Sequence, residues 1–374
     1  MSAEIEEAAR AGKTDDPNFK QARESSSALK SELKELEPRL GALDERRDEL
    51  LSVLPNLPEP EAPDGETEED NVTVREVGEH PDFDFEPLDH LELAQHHGWI
   101  EMEAAASASG SRFAYLLGEL VMLELALVRF AMEGLREEGF RPTVPPVLVR
   151  EQALYGTGFF PAEREMIYEI PRDELFLVGT SEVSLAALHA DQIMGASELP
   201  RRYAGFSTCF RREAGAGGRD TRGIFRVHQF DKVEMFSFVE PGSSYEEHER
   251  LLAIQERILG ALEIPYRLVD VAIGELGAPA ARKFDCEAWI PSQGRYREVT
   301  SCSNTTDYQA RRLSARYRPA RGESPEPVHT LNGTAAAVGR TLIALLENGQ
   351  REDGRVDLPA VLQEFGAPQA LPHK

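Results

Sequence analysis

The chain has 374 residues, 66 of them acidic and 41 basic, for a formal net charge of −25. That length is enough for one large core with an appendage, and such acidity argues against a general nucleic-acid-binding surface, whose footprint is basic. No apolar run is long enough to cross a bilayer, and neither a leader-like segment nor an internal repeat is visible, so the expected location is cytoplasmic.

The first predicted element is a helix from about Asn18 to Leu54, about 50 Å long. Leu29, Leu33, Leu36, Leu40, Leu43 and Leu50 recur in alternating steps of four and three, broken once at Arg47. This is a heptad seam, which calls for a partner helix. Upstream, Ser2 to Ala11 are available as that partner, with Gly12 to Pro17 as the tip, so the lower seam has no partner in this chain. Residues 55–90 are rich in Pro, Glu and Asp and read as a linker. The expected division is therefore a partial helical arm over 1–54, a linker over 55–90, and the main domain over 91–374.

Within the main domain, helical patterns lie at 112–138, 244–263 and 339–348, and strand-like runs at 203–210, 224–239 and 284–301. Three segments carry chemistry. In FLVGTSEVSLAAL a short apolar run ends at Gly179 and is followed by Thr180, Ser181 and Glu182. A hydroxyl beside a carboxylate suits a small polar ligand; Thr or Ser before Glu also suits an ordinary helix cap. The stretch Phe210 to Glu234, FRREAGAGGRDTRGIFRVHQFDKVE, holds Arg211, Glu213, Arg226, Phe230 and Glu234. Guanidinium forks suit phosphate oxygens. An aromatic face suits a flat base, and carboxylates suit an amine or an exocyclic amino group. The pattern describes a site for a nucleotide and a small amine, or else a surface hairpin with solvated charges. In HTLNGTAAAVGRTLIALLENGQ, Asn332-Gly333 signals a turn and small residues permit close backbone approach. Arg340 then opens a helical pattern against the helix dipole. A phosphate would satisfy both the arginine and the free N–H groups; a snorkelling arginine on a buried helix is the plainer alternative.

Cys209, Cys286 and Cys302 have neither metal-ligand spacing nor a paired framework, so they are expected reduced and buried, and no zinc is expected. His228 reads as a structural hydrogen-bonder. Neither a phosphate-binding G-x-x-x-x-G-K-[ST] loop nor a strand-linked G-x-G-x-x-G is present.

The three segments resemble the motifs of class II aminoacyl-tRNA synthetases, and more particularly of bacterial-type seryl-tRNA synthetases. Arg211-x-Glu213 with RVHQF resembles motif 2, LNGTAAAVGRTLIALLEN motif 3, and PTVPPVLV (Pro142 to Val149) motif 1. PNLPEPEAPDG, EEDNVTVREVG, FDFEPLDHLEL, ARKFDCEAWIPSQGRYREVTSCSN and DYQARRL match as well, so the resemblance runs from about Leu54 to Gly366. It implies an α+β fold: a mainly antiparallel class II sheet flanked by helices, preceded by a coiled-coil arm. It also implies a homodimer formed through motif 1. The implied activity is serine–tRNA ligation. L-serine is activated with ATP and Mg²⁺ to seryl-adenylate, then passed to the 3′ end of serine tRNA and of selenocysteine tRNA. The arm grips the long variable arm of the tRNA, and Arg311 to Arg318 either face the acceptor stem or form a solvated face.

The resemblance also implies residue roles. Arg211 contacts the α-phosphate and the serine carboxylate, and Arg212 belongs to the same nucleotide-binding group. Glu213 holds the adenine amino group, Val227 edges the pocket, and Phe230 stacks on the base, with Arg340 on its other face and on the γ-phosphate. Glu298 and Ser301 take Mg²⁺ and phosphates, with Val299 and Thr300 on the same strand. Thr180, Glu182, Glu234, Asn332 and Thr334 hold serine, beside Ser181. Some positions depart from the common bacterial pattern: Ser181 for alanine, Thr334 for serine, Ala335-Ala336 for Gly-Leu, and Gly349 for an aromatic. The arm is shortened, which fits a native start upstream, a missing first helix, a naturally short arm, or a seam covered by another chain. Two other functions stay open: a serine-activating enzyme serving another acceptor, such as a carrier protein, and a non-catalytic binding or regulatory paralogue.

Overall fold

The heptad seam folds as one helix, α1 (Pro17–Ser52), with Pro38 inside it. Its seam leucines are exposed, Leu40 at 60 % and Leu43 at 67 %. The computed structural model describes residues 17–215, 218, 220 and 222–372. The expected upstream helix (2–11) and residues 12–16 of the tip lie outside the described residues. Pro17 does not belong to the tip: it opens α1, where its missing N–H leaves no hydrogen bond unmade. The chain divides into two compact units, 1–54 and 55–374.

The second unit is built on an eight-stranded sheet. In chain order its strands are β1 (Val72–Val77), β2 (Arg141–Thr143), β3 (Arg201–Phe210), β4 (Gln229–Val239), β5 (Tyr266–Asp270), β6 (Arg282–Ile290), β7 (Arg295–Asn304) and β8 (His329–Ala337). The spatial order is β1-β5-β6-β7-β8-β4-β3-β2. All neighbours are antiparallel except β2 and β3.

The linker reading of 55–90 needs correction. The Val72-Thr-Val74 run is β-branched and pairs along β5 from Val72–Asp270 to Val77–Tyr266. Ahead of it, Asn56 and Glu59 donate backbone hydrogen bonds to Ala278 and Ala281 at 2.7 and 2.8 Å. Composition suggested flexibility, but non-local pairing supplies the partners. Two further runs are shorter than expected. Residues 224–228 form turns ahead of β4, and the run over 284–301 is broken at Pro291–Gln293 into β6 and β7.

Helices cover the sheet because their apolar residues recur at helical spacing. In α3 (Glu119–Glu137), which comes after α2 (His90–His97) and a short helix over Glu103–Ser109, Leu120, Leu123, Leu127, Ala131 and Leu135 are buried. The expected helix began at 112; residues before Gly118 instead include a two-residue strand, Tyr115–Leu116. α4 (Glu182–Ala187) is short. α5 (Ser244–Ala261) buries Leu251, Leu252, Ile254, Ile258 and Leu259, and α6 (Tyr308–Arg312) is a single turn. α7 (Val338–Gly349) is buried over most of its circumference, including Ile343 and Glu347.

β4 shows how the sheet builds a site. Its pleat alternates sides: Val233, Met235 and Val239 enter the main core, while Phe236 and Phe238 enter a second cluster on the opposite face. Lys232 and Glu234 share that second face. Gly205 of β3 lies opposite Glu234 in register. A Cβ there would come within 2.8 Å of Leu185 Cδ1 and 3.1 Å of Ser181 Oγ, so the glycine lets α4 approach the strands closely.

Candidate active site

A cleft opens over β4, β7, β8 and the start of α7. Nine of the expected site residues line it: Arg211, Glu213, Val227, Phe230, Glu298, Val299, Ser301, Thr334 and Arg340. Phe225, Arg226 and Lys232 line it too.

Its walls are cations laid against aromatic faces. The Arg340 guanidinium carbon lies 4.7 Å from the centroid of Phe225, and Arg297 lies 3.9 Å from that ring. Arg211 stands 5.4 Å from the centroid of Phe230. Such contacts hold a guanidinium while leaving its N–H groups for other acceptors. Arg211 is anchored by its Nε–H to Gly179 O at 3.2 Å. Its backbone exchanges hydrogen bonds with His228: Arg211 N–H donates to His228 O at 2.9 Å, and His228 Nδ1–H donates to Arg211 O at 2.9 Å. His228 is thus the structural hydrogen-bonder its sequence context suggested. Glu213 adopts a left-handed backbone, φ +51°, uncommon for a residue with a side chain. Its carboxylate accepts from Arg226 Nη1 at 2.7 Å. Arg340 donates to Glu298 O at 2.9 Å and lies 3.3 Å from Glu298 Oε2. Partial desolvation at the cleft wall pushes the Glu298 carboxyl up, but Arg340, Lys283 and Arg211 outweigh it and hold it below the usual range. The same contest lowers Asp220, where Arg297 and Arg226 overcome desolvation. This acidic chain therefore concentrates positive charge where phosphates would sit.

Behind the cleft lies a buried polar network. Lys232 Nζ donates to Thr180 Oγ1 at 2.8 Å and is ion-paired with Glu234. Thr334 Oγ1 donates to Glu234 Oε2 at 3.4 Å. Glu182 Oε1 accepts from Gln309 Nε2 at 2.7 Å and from Asn332 Nδ2 at 3.0 Å. Burial, and secondly the charge of Glu234, push the Glu182 carboxyl up to about 7. Glu182 and Asn332 line a second cavity together with Glu163. Two buried carboxylates with hydroxyl and amide neighbours can receive a small molecule bearing an ammonium and a hydroxyl.

Two of the expected nucleotide-binding residues, Arg212 and Thr300, do not line the cleft. The Arg212 guanidinium carbon lies 5.9 Å from the centroid of Tyr168 instead, and Thr300 is buried opposite core-facing Cys286. Ser181 is fully buried under Gly205, its hydroxyl without a hydrogen-bond partner among the described residues. The sequence reading missed Lys232, Phe225 and Gln309 as site residues. Period-two spacing from Glu234 was a usable signal for Lys232; Phe225 and Gln309 carried none. All three cysteines are free and buried. Among the described residues no group of three or more His, Cys, Asp or Glu is poised to hold a metal ion, and no helix is long and apolar enough to cross a membrane.

The antiparallel sheet, the Arg-x-Glu loop and the arginine at the head of α7 define a class II aminoacyl-tRNA synthetase core. The family described as tRNA synthetase class II core domain (G, H, P, S and T) matches residues 167–349. The serine–tRNA ligase of Acidothermus cellulolyticus is 54 % identical over 345 residues, covering 90 % of this chain and 81 % of the relative. That of Rubrobacter xylanophilus is 52 % identical over 343 residues, covering 91 % and 81 %. The crystal structure of seryl-tRNA synthetase from Pyrococcus horikoshii complexed with ATP superposes with a TM-score of 0.92 at 41 % identity, covering 99 % of this chain and 86 % of the other. The cytoplasmic serine–tRNA ligase of Naegleria fowleri in complex with AMP gives 0.88 at 34 % identity, covering 98 % and 90 %. The chain belongs to the seryl-tRNA synthetase family.

Proposed function

We propose that this chain ligates L-serine to the 3′ end of serine tRNA in two steps, through seryl-adenylate. One observation carries the reading: an arginine-walled aromatic cleft joins, through Lys232 and Thr334, a pocket of buried carboxylates. ATP fits the cleft, its base against Phe230 with Glu213 at the amino group and its phosphates among Arg211, Arg226 and Arg340. The serine ammonium and hydroxyl fit Glu182, Glu234, Thr180, Asn332 and Thr334. A site whose buried polar groups need that hydroxyl rejects alanine, which leaves them unpaired.

Positioning and charge stabilisation then suffice for in-line attack of the serine carboxylate on the α-phosphate. Arg211, between the two pockets, orients the attacking carboxylate and offsets charge on the reacting phosphoryl group. The donor set suits Mg²⁺, a hard cation that takes oxygen ligands and keeps several from water and phosphate. Glu298 is a half-exposed carboxylate held ionised, and Ser301 lines the cleft on the same strand. These two would hold the ion, which neutralises phosphate charge when bound.

In the same reading residues 1–54 are the tRNA arm, engaging the long variable arm, and selenocysteine tRNA is a second acceptor. Residues 55–90 are the entry to the catalytic unit and give its sheet an edge strand. The assembly is a cytoplasmic homodimer through the motif 1 region, where Met122, Leu125 and Val144 are exposed at 55, 54 and 82 %. A paired assay tests the whole. Serine-dependent ATP–pyrophosphate exchange together with charging of serine tRNA is expected. Exchange without charging points to an arm too short for the tRNA or to another acceptor, such as a carrier protein. No exchange with any amino acid overturns the enzyme reading in favour of a non-catalytic paralogue.

A further inference from the structure

Three segments that each serve the nucleotide cleft meet at one buried pair behind it. His90 opens α2 and is 5 % exposed; Glu347 lies on α7 and is fully buried. Glu347 Oε1 accepts from the His90 backbone N–H at 3.0 Å and lies 3.0 Å from His90 Nδ1. Glu347 Oε2 accepts from the Ser292 backbone N–H at 3.1 Å. On the other side of the ring, His90 Nε2 accepts from the Ile224 backbone N–H at 3.2 Å. An Nε2 that accepts carries no proton, so the proton sits on Nδ1 and is donated to Glu347.

These contacts grip backbone where the cleft takes its shape. Ile224 precedes Phe225, the ring on which Arg340 and Arg297 lie. α7 carries Arg340 seven residues before Glu347. Ser292 lies in the turn joining β6 to β7, and β7 carries Arg297, Glu298 and Ser301. The approach of Ile224 depends on Gly223. A Cβ at that position would lie 2.1 Å from His90 Nε2, and its φ of +72° also disfavours a side chain.

We propose that His90 and Glu347 form a positioning pair that locks the end of the motif 2 loop to α7 and to the β6–β7 turn, so that the ATP cleft is shaped before ATP enters. Neither side chain lines the cleft, so His90 is a positioning residue that acts through Phe225 and its arginines. The inference rests on the reading of the cleft as an ATP site.

The test compares His90→Asn with His90→Gln. Asparagine retains a donor at the Nδ1 position for Glu347 but leaves the Ile224 N–H without its acceptor. Glutamine reaches the Nε2 position and restores that acceptor. The full-length protein and both variants are titrated with ATP by calorimetry and assayed for serine-dependent exchange, with melting temperatures recorded. His90→Asn is expected to weaken ATP binding and raise the ATP KM about 10-fold or more, the scale set by a misplaced supporting group. The serine KM is expected within about 2-fold of the parent, and His90→Gln is expected to recover most of the ATP loss. Gly223→Ala, whose Cβ would crowd the His90 ring and part Nε2 from the Ile224 N–H, is expected to reproduce the ATP defect, and it carries the test should His90→Asn fail to fold. Unchanged ATP affinity in His90→Asn or Gly223→Ala overturns the proposal. So does a joint rise of both KM values that tracks lost stability in the asparagine and glutamine variants alike. A parent protein that binds no ATP overturns the ATP reading itself, and this inference with it.

Discussion

Replacing Glu182 by glutamine separates the cost of a buried charge from its use. The Glu182 side chain is enclosed, and its carboxyl rises from 4.5 to about 7, first through burial and second through the charge of Glu234. At about 1.4 kcal/mol per tenfold change, that rise corresponds to about 3 kcal/mol of destabilisation when the group is ionised. A carboxyl whose folded pKa is raised binds more protons folded than unfolded. Its cost is therefore absent below about 4.5, grows as pH climbs towards 7, and is complete above 7. Glu182→Gln removes the charge and keeps an oxygen for the Gln309 and Asn332 donors at 2.7 and 3.0 Å. The expected result is a melting temperature higher by a few degrees at pH 8, with the gain shrinking towards zero near pH 5. Serine use moves the other way. Loss of a buried carboxylate facing an ammonium costs about 3 kcal/mol or more, so kcat/KM for serine in the exchange assay is expected to fall at least about 100-fold. In the parent protein, the serine KM is expected to rise as pH falls through about 7 and Glu182 takes up its proton. A stability gain equal at pH 5 and pH 8, or a variant with the parent's serine KM, would refute the assignment of Glu182 as a charged serine ligand.

Arg340→Ala is expected to cut exchange about 100-fold with little change in melting temperature, since its partner Glu298 is 48 % exposed at the side chain. Chelation of divalent cations is expected to abolish exchange and added Mg²⁺ to restore it, with Glu298→Gln needing more Mg²⁺ for half-maximal rate; exchange that persists in chelator would remove Glu298 from that role. Gly205→Ala would place a Cβ 2.8 Å from Leu185 Cδ1, so a stability loss of about 1–3 kcal/mol and a raised serine KM are expected from denaturant unfolding and kinetics. Leu123→Ala, at a fully buried position of α3, is expected to cost about 2–5 kcal/mol in the same unfolding experiment.

The local code was readable along the chain because helical and strand periodicities are written in neighbouring residues. The leucine seam of α1, the amphipathic α3 and the strands β3 and β4 follow from spacing within a dozen residues. The chemistry of Arg211, Glu213, Phe230 and Arg340 was readable too, since a guanidinium, a carboxylate and a ring state what they can bind. What folding added is the set of contacts between residues far apart in sequence. Val72–Val77 became a sheet edge because β5, nearly two hundred residues on, supplies its hydrogen bonds. Thr180 and Glu234 share Lys232 because Gly205 admits α4 against the sheet. Phe225 became the platform for two arginines through register and turn geometry that no local pattern encodes. Residue types and their short-range rhythm decide which groups are offered; chain closure decides which are buried together, and burial sets their charge and their reach.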